Sequence, residues 1–435
     1  MKNLKKWTSL AALGLGVVAV AGTAHATDSR INGLSGGAVS LTGNPDSPTA
    51  SDTVLNEKSF TIRDSANIYT FPQFLPTYKN SVDSDATSGA KYGTMNIRYA
   101  LSDDAVLLIY GKRSVWQPVT NLSSVAGATA GTASGYGMPN DPTNHQFGLG
   151  FGMKAGESLR LGAHASLGGR NFTDKSTNNK TQNNTLFQLG AGVGFDLSET
   201  NSMDFGIDLK VGSFTNQGPQ GDLYTPNGLF RFGLIFKGEF QVHQIAKIVP
   251  YLNFAYDSRN VAHGQDQAGN GAKYGNAAMT VLQLGSDLAI QPVEGVLIQP
   301  GLGLAFATST VSGKAVPDQS GQIPSQTLDA SSNRIIPYYG FAAEAKAFDW
   351  MVLRLGARQQ VVLTNIGNTA TNPAPSNEEH LSNVVNTVTT GMGFKLMGWD
   401  LDLNVNPSYF NNGVFAATGA STSPFAVDWA LGYRW

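Results

Sequence analysis

The chain ends with FAVDWALGYRW, from Phe425 to Trp435, in which apolar residues alternate strictly with small or charged ones. Successive side chains of a β-strand point to opposite faces, so this strand has one apolar and one polar face. The apolar face consists of Phe425, Val427, Trp429, Leu431, Tyr433 and Trp435. A strand that stays apolar on one side up to its last residue is typical of a wall between lipid and water. The ending therefore predicts a transmembrane β-barrel.

The amino terminus predicts export. Three lysines within residues 2–6 precede an apolar run at residues 10–21, and the tripeptide Ala-His-Ala at 24–26 is typical of a signal-peptidase site. The apolar run is shorter than the roughly 20 residues that a membrane-spanning helix needs. We therefore predict that residues 1–26 are a cleaved signal peptide and exclude them from the fold.

The composition agrees with a barrel. Charged residues make up 14% of the chain, against about 25% in soluble proteins, and the mean hydropathy is -0.13. Both values are expected when half of the strand residues face lipid and the other half are polar. The absence of cysteine excludes disulfides, thiolate metal sites and a lipoprotein anchor. The net charge of -2 gives no indication of nucleic acid as a partner.

Segments with period-2 alternation recur along the mature chain, each about as long as a strand that crosses a bilayer at a tilt. The clearest is 228–240, where aromatic and aliphatic residues alternate with Arg231, Gly233, Ile235 and Lys237. We count fifteen such segments: residues 92–101, 104–112, 145–154, 158–168, 185–196, 202–212, 228–240, 246–257, 277–290, 296–308, 334–347, 351–362, 386–396, 400–407 and 423–435.

The connections alternate between short turns and long polar loops, as in barrels with tight periplasmic turns and extended extracellular loops. Since the chain ends in the periplasm after a long loop, one more strand must precede residue 92, and we place it within 74–84. The prediction is an all-β, antiparallel up-and-down barrel of about sixteen strands over residues 74–435. Fourteen strands remain an alternative, because 104–112 and 400–407 alternate less regularly.

Residues 27–73 do not show the barrel pattern, and three arrangements stay open: a periplasmic segment, a plug inside the lumen, or extra strand material. The apolar residues Ile68, Tyr69 and Phe71 predict a packed rather than a disordered segment. Residues 64–75, DSANIYTFPQFL, resemble the D-A-S-x-x-x-x-N-P-A segment of long-chain fatty-acid transporter barrels, with Phe-Pro-Gln in place of Asn-Pro-Ala. The resemblance covers a dozen residues, and we transfer no site from it.

Charged residues on the inward faces are the candidate functional residues. Such charges require water or ion-pair partners, so the lumen must be wet or contain a paired polar network. The predicted pore-lining residues are Arg98, Arg160, Asp204, Asp208, Lys210, Arg231, Lys237, Asp287, Glu344, Arg354, Arg358 and Lys395.

No motif predicts catalysis or a cofactor. The G-x-S-x-G pattern at residues 33–37 lacks the strand before it and the helix after it that would expose a nucleophilic serine. The glycine-rich stretches at 148–152 and 190–194 continue as strand instead of opening a helix, so they do not predict a phosphate loop. We therefore predict that the protein is not an enzyme and needs no cofactor.

The C-terminal pattern, with its aromatic last residue, resembles the assembly signal of Gram-negative outer-membrane barrels. The resemblance implies that residues 425–435 are recognised by the barrel-assembly machinery and that the barrel lies in outer-membrane lipid. The barrel is also similar to general porins, which implies a homotrimer.

Three functions are compatible with these features. A sixteen-stranded barrel leaves room for an aqueous channel, so the first hypothesis is a porin-like channel for passive diffusion of small hydrophilic solutes, narrowed by the loop at 113–144. The second is a ligand-specific transporter for hydrophobic substrates, plugged by residues 27–73. The third is a non-conducting structural barrel with long surface loops.

Overall fold

The computed structural model describes residues 30, 31, 34, 61–87, 93–115, 143–174, 180–217, 223–225, 229–263, 274–314, 327–370, 377–405 and 426–435. The predicted signal peptide, most of residues 27–60, most of the loop at 113–144 and Phe425 lie outside the described residues.

The described chain consists almost entirely of strands. Two 3-10 helices, η1 (Ser65–Tyr69) and η2 (Pro72–Tyr78), precede them. No helix among the described residues is long and apolar enough to cross a membrane. The strands are β1 (Ser81–Thr87), β2 (Gly93–Ala100), β3 (Ala105–Val115), β4 (Thr143–Ala155), β5 (Leu159–Asp174), β6 (Lys180–Asp196), β7 (Ser202–Gln217), β8 (Leu223–Thr225), β9 (Leu229–His243), β10 (Ala246–His263), β11 (Tyr274–Ile290), β12 (Val296–Lys314), β13 (Thr327–Phe348), β14 (Met351–Ala370), β15 (Asn377–Leu396), β16 (Trp399–Val405) and β17 (Ala426–Arg434).

The sheet closes on itself. Wall strands that follow each other in the chain pair antiparallel, and β1 pairs with both β2 and β17. The three-residue strand β8 pairs only with the ends of β7 and β10, while β7 and β9 pair directly. Sixteen strands therefore form the wall, which confirms the predicted up-and-down barrel and excludes fourteen strands.

The first wall strand lies later in the chain than the sequence pattern indicated. It begins at Ser81, and residues 74–78 of the segment predicted as strand belong to η2 instead. The reason is that Pro72 and Pro76 lack the N–H groups that a strand in a closed ladder must donate. Several other strands are longer than predicted; β13, for example, has 22 residues, because the ladder continues past the lipid-facing part into polar sequence.

The outer surface of the barrel is apolar. Phe147, Leu167 and Leu302 each expose about 60% or more of their surface on outward-facing positions. Aromatic side chains collect at the periplasmic end, where Phe348 stacks on Trp350 at 5.4 Å between ring centroids and Trp399 lies 4.8 Å from Tyr433. An apolar band ending in an aromatic girdle is the surface that a bilayer requires. The chain is therefore an outer-membrane β-barrel, as predicted.

Residues 61–79, which we call the lumen segment, lie inside the barrel. η2 contacts β2, β3, β4, β5 and β6, and the segment also bonds to side chains of β7, β9 and β11. All of these contacts are made near the periplasmic ends of the strands. Arg30, Ile31 and Leu34 are buried, and Ile31 and Leu34 pack in one cluster with Ile62 of the segment. The lumen segment thus occupies the periplasmic half of the lumen.

Candidate functional site

Local sequence signals shape the lumen segment. Asp64 caps η1, since its carboxylate accepts a hydrogen bond from the Ala66 amide at 2.9 Å. Pro72 is at the first position of η2, where a helix needs no N–H donor. Phe71 and Phe74 are fully buried, because wall side chains surround the segment on several sides. The segment is therefore a small, tightly packed core inside the barrel.

Inward-facing glycines of the wall make room for this core. A Cβ added at Gly162 would fall on the backbone of Pro72 and Gln73, and one at Gly206 would fall on the carbonyl oxygen of Thr70. Two further inward glycines in close contact with the segment are Gly152 and Gly192. The glycine-rich strand patterns in β4–β7 are thus explained by close approach of a second piece of backbone.

Three cations surround the ring of Phe74. The guanidinium carbons of Arg63 and Arg160 lie 5.0 Å and 5.3 Å from the ring centroid, and the Lys237 ammonium lies 5.1 Å from it. Each such contact stabilises by about 0.5–2 kcal/mol, and more when the cation is desolvated. Lys237 is completely buried, so Phe74 is a strong anchor between the lumen segment and the wall.

Two carboxylates balance these cations, Asp204, which is buried, and Glu239, which is partly exposed. Glu239 lies 2.9 Å from the Lys237 ammonium and 3.3 Å from Arg63. Asp204 lies 3.3 Å from Arg160 and 3.9 Å from Arg63. Because each carboxylate meets at least one cation from the wall and also Arg63 from the lumen segment, the ion pairs tie the two parts together.

A second ionic network joins Arg30 to the opposite wall. Glu344 accepts hydrogen bonds from Arg30 through both oxygens, at 2.7 Å and 2.8 Å, and from Arg354 at 2.8 Å. Arg354 also donates to Asp402 at 2.6 Å, and Arg30 donates to Asp64 at 3.1 Å. The bidentate pair is the strong geometry for arginine and carboxylate. Four of these five residues are buried, and Glu344 is only partly exposed.

Aromatic and polar side chains cover the outer side of the lumen segment. The His164 ring bonds through Nε2 to the Tyr69 carbonyl and through Nδ1 to the Tyr110 hydroxyl, each at 3.0 Å. The Tyr69 hydroxyl donates to Asn96, which in turn donates to Asp83 at 2.6 Å. This cluster attaches Tyr69 of the segment to β2, β3 and β5.

A buried apolar patch lies on the inner wall of β11–β14, farther from the periplasmic turns than the lumen segment. Its members are Met279, Val281, Ala305, Ala307, Ile336, Tyr338 and Val362. A polar cluster borders it: the Tyr338 hydroxyl lies 2.7 Å from that of Tyr251 and accepts from Gln283 at 3.0 Å, and Arg358 lies over the Tyr338 ring at 6.0 Å. Each member exposes 3% of its surface or less, so the patch is closed to solvent in this structure and has a few polar groups at one edge.

All twelve predicted pore-lining residues lie on inward-facing positions, and the structure divides them into two groups. Those that contact the lumen segment or the network with Arg30 are Arg98, Arg160, Asp204, Lys237, Asp287, Glu344 and Arg354. The other five are Asp208, Lys210, Arg231, Arg358 and Lys395; among them, Lys210 lies 3.8 Å from Asp208 and Arg358 lies over the Tyr338 ring. Whether solutes pass along these side chains stays a prediction.

The part of the predicted assembly signal from Trp429 to Trp435 lies on the outward face of β17 and just beyond its end. Trp429, Leu431 and Trp435 are exposed there, and Tyr433 packs against Trp399. Val427 belongs to the same strand. Recognition of these residues by the assembly machinery stays a prediction.

The sequence patterns predicted that Phe74 is packed, but they did not identify two other residues that organise the site, Arg30 and Asp64. Two helix-start signals are nevertheless present in this segment: Asp64 directly precedes η1, and Pro72 is the first residue of η2. Nothing in the sequence indicates that Arg30 pairs with Glu344, which is 314 residues away. Among the described residues, no group of three or more His, Asp or Glu could hold a metal ion.

Docking of the lumen segment is expected to weaken at alkaline pH. Burial raises the pKa of the Asp64 carboxyl from 3.8 to about 7, because desolvation outweighs the ion pair with Arg30 and the hydrogen bond from Ala66. In an undocked segment the carboxyl has its ordinary pKa, so the docked state holds the proton more tightly. The contribution of the protonated Asp64 carboxyl to docking is complete below about pH 4 and is lost as the pH rises through 7. Amides of η1 are therefore expected to show lower hydrogen-exchange protection at pH 8 than at pH 5.

An Asp64→Asn variant is the control for this pH dependence. Asparagine is neutral at both pH values and can still accept a hydrogen bond from the Ala66 amide. The hydrogen-exchange protection of the η1 amides in this variant should therefore be the same at pH 5 and pH 8. The same loss of protection in the asparagine variant would mean that another group is responsible.

Comparison with known proteins gives only distant structural likenesses. No protein-family model matches the chain, and no curated protein matches it. The ferric yersiniabactin uptake receptor FyuA from Yersinia pestis is 8% identical, with 82% of this chain and 79% of that chain covered and a TM-score of 0.40. The open form of the ferric-catecholate import receptor Fiu from E. coli K12 is 9% identical, with 82% and 74% covered and a TM-score of 0.41. The alcaligin outer-membrane receptor FauA from Bordetella pertussis is 9% identical, with 82% and 75% covered and a TM-score of 0.37.

Proposed function

We propose that the protein is a ligand-specific outer-membrane transporter for hydrophobic substrates, closed in its resting state by the lumen segment. The observation that supports this function is the packed core around Phe71 and Phe74 inside the periplasmic half of the barrel. A passive pore requires a continuous aqueous path, whereas here wall and segment share ion pairs and buried aromatic contacts. The occupied lumen favours a plugged transporter over the porin-like channel that the strand number alone predicts.

The apolar patch on β11–β14 supports a hydrophobic substrate. Val281, Ala305 and Ile336 face inward on three adjacent strands, where a water-filled channel would favour polar residues. The tyrosine hydroxyls and Gln283 at its edge can orient one polar group of a substrate. A largely apolar molecule with one polar end matches the chemistry of this wall once the patch, which is closed to solvent in the resting structure, is uncovered.

Planar-bilayer conductance tests whether the lumen segment closes the barrel. The full-length mature protein is expected to conduct poorly, because the segment blocks the periplasmic half. Deletion of residues 27–79, which leaves all sixteen wall strands, should give stable and sizeable ohmic steps. Large steps from the intact protein would support the passive pore, and silence from both proteins would support the non-conducting structural barrel.

Binding of the apolar fluorophore N-phenylnaphthylamine tests the substrate class. An Ile336→Asn variant should bind it less tightly, because the amide interrupts the apolar patch. Ser309→Asn is the control, since Ser309 faces inward on β12 outside the apolar cluster. Equal binding by wild type and both variants, or no binding at all, would argue against a hydrophobic substrate at this wall.

A further inference from the structure

A buried arginine borders the apolar patch on the inner wall of β11–β14. Arg334 of β13 exposes only 7% of its surface, and it lies two positions from Ile336, a member of the patch. Ile335 between them is 46% exposed, so Arg334 and Ile336 share the inward face of the strand. Because β13 runs toward the periplasmic turn after Phe348, Arg334 lies on the extracellular side of Ile336.

Arg334 has no ion-pair or hydrogen-bond partner among the described residues. The strands on either side cannot supply a counter-charge, because β12 and β14 contain no acidic residue. The residues directly opposite Arg334 are Ala307 on β12, which belongs to the patch, and Thr364 on β14. Glu344, also of β13, is already bonded by two arginines. Within these surroundings the positive charge is buried without compensation.

Burial of an uncompensated charge destabilises the fold, because the ion loses its hydration and gains no partner. Other buried cations of the lumen avoid this cost, since Arg30, Arg354 and Lys237 each contact a carboxylate. At position 334 an apolar residue of similar length would avoid it as well. The charge of Arg334 therefore indicates a role in binding and not in folding.

A second buried donor lies beside the guanidinium. Ser332 is the next inward residue of β13 toward the extracellular end, and it is completely buried. In the part of the chain that the structure describes, its hydroxyl has no hydrogen-bond partner. Residues two positions apart on a strand are separated by about 7 Å. An anionic group between Ser332 and Arg334 can accept hydrogen bonds from both side chains.

We propose that Arg334 binds the anionic head of a substrate whose apolar body lies on the patch of β11–β14. The inference rests on the proposed function and adds the charge of the substrate, an amphiphile with a carboxylate, sulfonate or phosphate group. Arginine has two parallel N–H donors that match the oxygens of these groups. Tyr338 lies on the periplasmic side of Ile336, so a head at Arg334 places the apolar body between the guanidinium and the tyrosine hydroxyls.

Two fluorophores with the same apolar body and different charge test the proposal. N-phenylnaphthylamine is neutral, and anilinonaphthalene sulfonate has the same two ring systems with an added sulfonate. In the full-length mature protein, Arg334→Met should weaken binding of the sulfonate by roughly tenfold to hundredfold, the usual strength of a hydrogen bond to a charged group. The loss should be much smaller for the neutral probe. All variants are compared in one detergent, so partition of each probe into micelles is the same for all of them.

Lys346→Met is the matched control, because it removes one positive charge from the same strand near an exposed periplasmic turn. It should bind both probes as the wild type does. Ile336→Asn should weaken the sulfonate probe as well as the neutral one, because head and body belong to one molecule. The temperature at which the folded gel band converts to the unfolded one should be unchanged or higher in Arg334→Met, since an uncompensated buried charge is removed.

The outcomes separate this proposal from the proposed function. Binding of N-phenylnaphthylamine together with a sulfonate affinity that is independent of Arg334 would overturn the anionic head alone. Absence of binding of both probes to the wild type would overturn the hydrophobic substrate as well. Equal losses in Arg334→Met and Lys346→Met, or a sulfonate affinity unaffected by Ile336→Asn, would place the sulfonate away from the patch. A lower conversion temperature of Arg334→Met would make Arg334 a structural residue and would also overturn the proposal.

Discussion

Replacing Glu344 with glutamine is expected to weaken docking of the lumen segment by roughly 3–5 kcal/mol while the barrel wall remains assembled. The reason is that removal of one partner leaves a buried charge without its counter-charge. The carboxylate receives three hydrogen bonds from two arginines, and the wild-type network balances Arg30 and Arg354 against Glu344 and Asp402. A neutral amide cannot satisfy both guanidinium groups. Arg30 lies outside the strands, so its guanidinium can avoid this unpaired burial only by moving away from the wall.

Hydrogen exchange of the lumen segment measures this change directly. The amides of Thr70, Phe71 and Phe74 are bonded within the 3-10 helices and should lose protection by roughly a hundredfold or more in Glu344→Gln. Amides in the hydrogen-bond ladder of the barrel wall should keep their protection. Asp349→Asn is the matched control, because it removes a carboxylate from an ion pair with Lys346 at a periplasmic turn where both residues are exposed. If the two variants behave alike, the network with Arg30 does not hold the segment.

The wall of the barrel could be predicted from the sequence because lipid imposes a simple rule on every strand. Side chains alternate with period 2, and the hydrocarbon excludes charge from one of the two faces. Strand β9 illustrates this, since Phe230 and Leu234 face outward while Arg231 and Lys237 are buried inside. The direction of each side chain followed from local sequence alone.

The partners of the inward charges could not be predicted in the same way. Period 2 shows that Lys237 faces the lumen, but it does not show that Lys237 meets Glu239 and the ring of Phe74. Those contacts depend on the curvature of the closed wall and on where the lumen segment enters. Because the lumen segment fills this part of the lumen, many charged side chains that were expected to border a water-filled channel are buried in ion pairs instead.

The first strand was misplaced because apolar residues in the lumen segment look like a strand. Phe74 and Tyr78 are apolar and buried, yet the barrel wall surrounds them, so their pattern does not have to obey the alternation between lipid and water. The two prolines are the signal that could have corrected the assignment. Pro72 begins η2 and Pro76 lies within it, which is compatible with short helical turns and not with a ladder.

Replacing both Gly162 and Gly206 with alanine is expected to displace the lumen segment and open the barrel. Each new methyl group would fall on backbone atoms, of Pro72 and Gln73 at one position and of Thr70 at the other. Rigid backbone cannot yield as a long side chain can, so overpacking costs roughly 1–3 kcal/mol at each site. The two positions lie on β5 and β7, so the segment cannot relieve both contacts by a shift toward one strand.

Single-channel recording of the full-length double variant measures the opening. Its conductance should approach that of the protein without residues 27–79, because a segment that cannot dock leaves the same lumen free. Gly233→Ala is the matched control: this glycine also faces inward, on β9, but an added Cβ would lie 3.7 Å from the nearest atom, which is an ordinary contact. Retention of the closed state in the double variant would show that the wall glycines do not define the docking surface, whereas opening in the control as well would point to general loosening of the barrel.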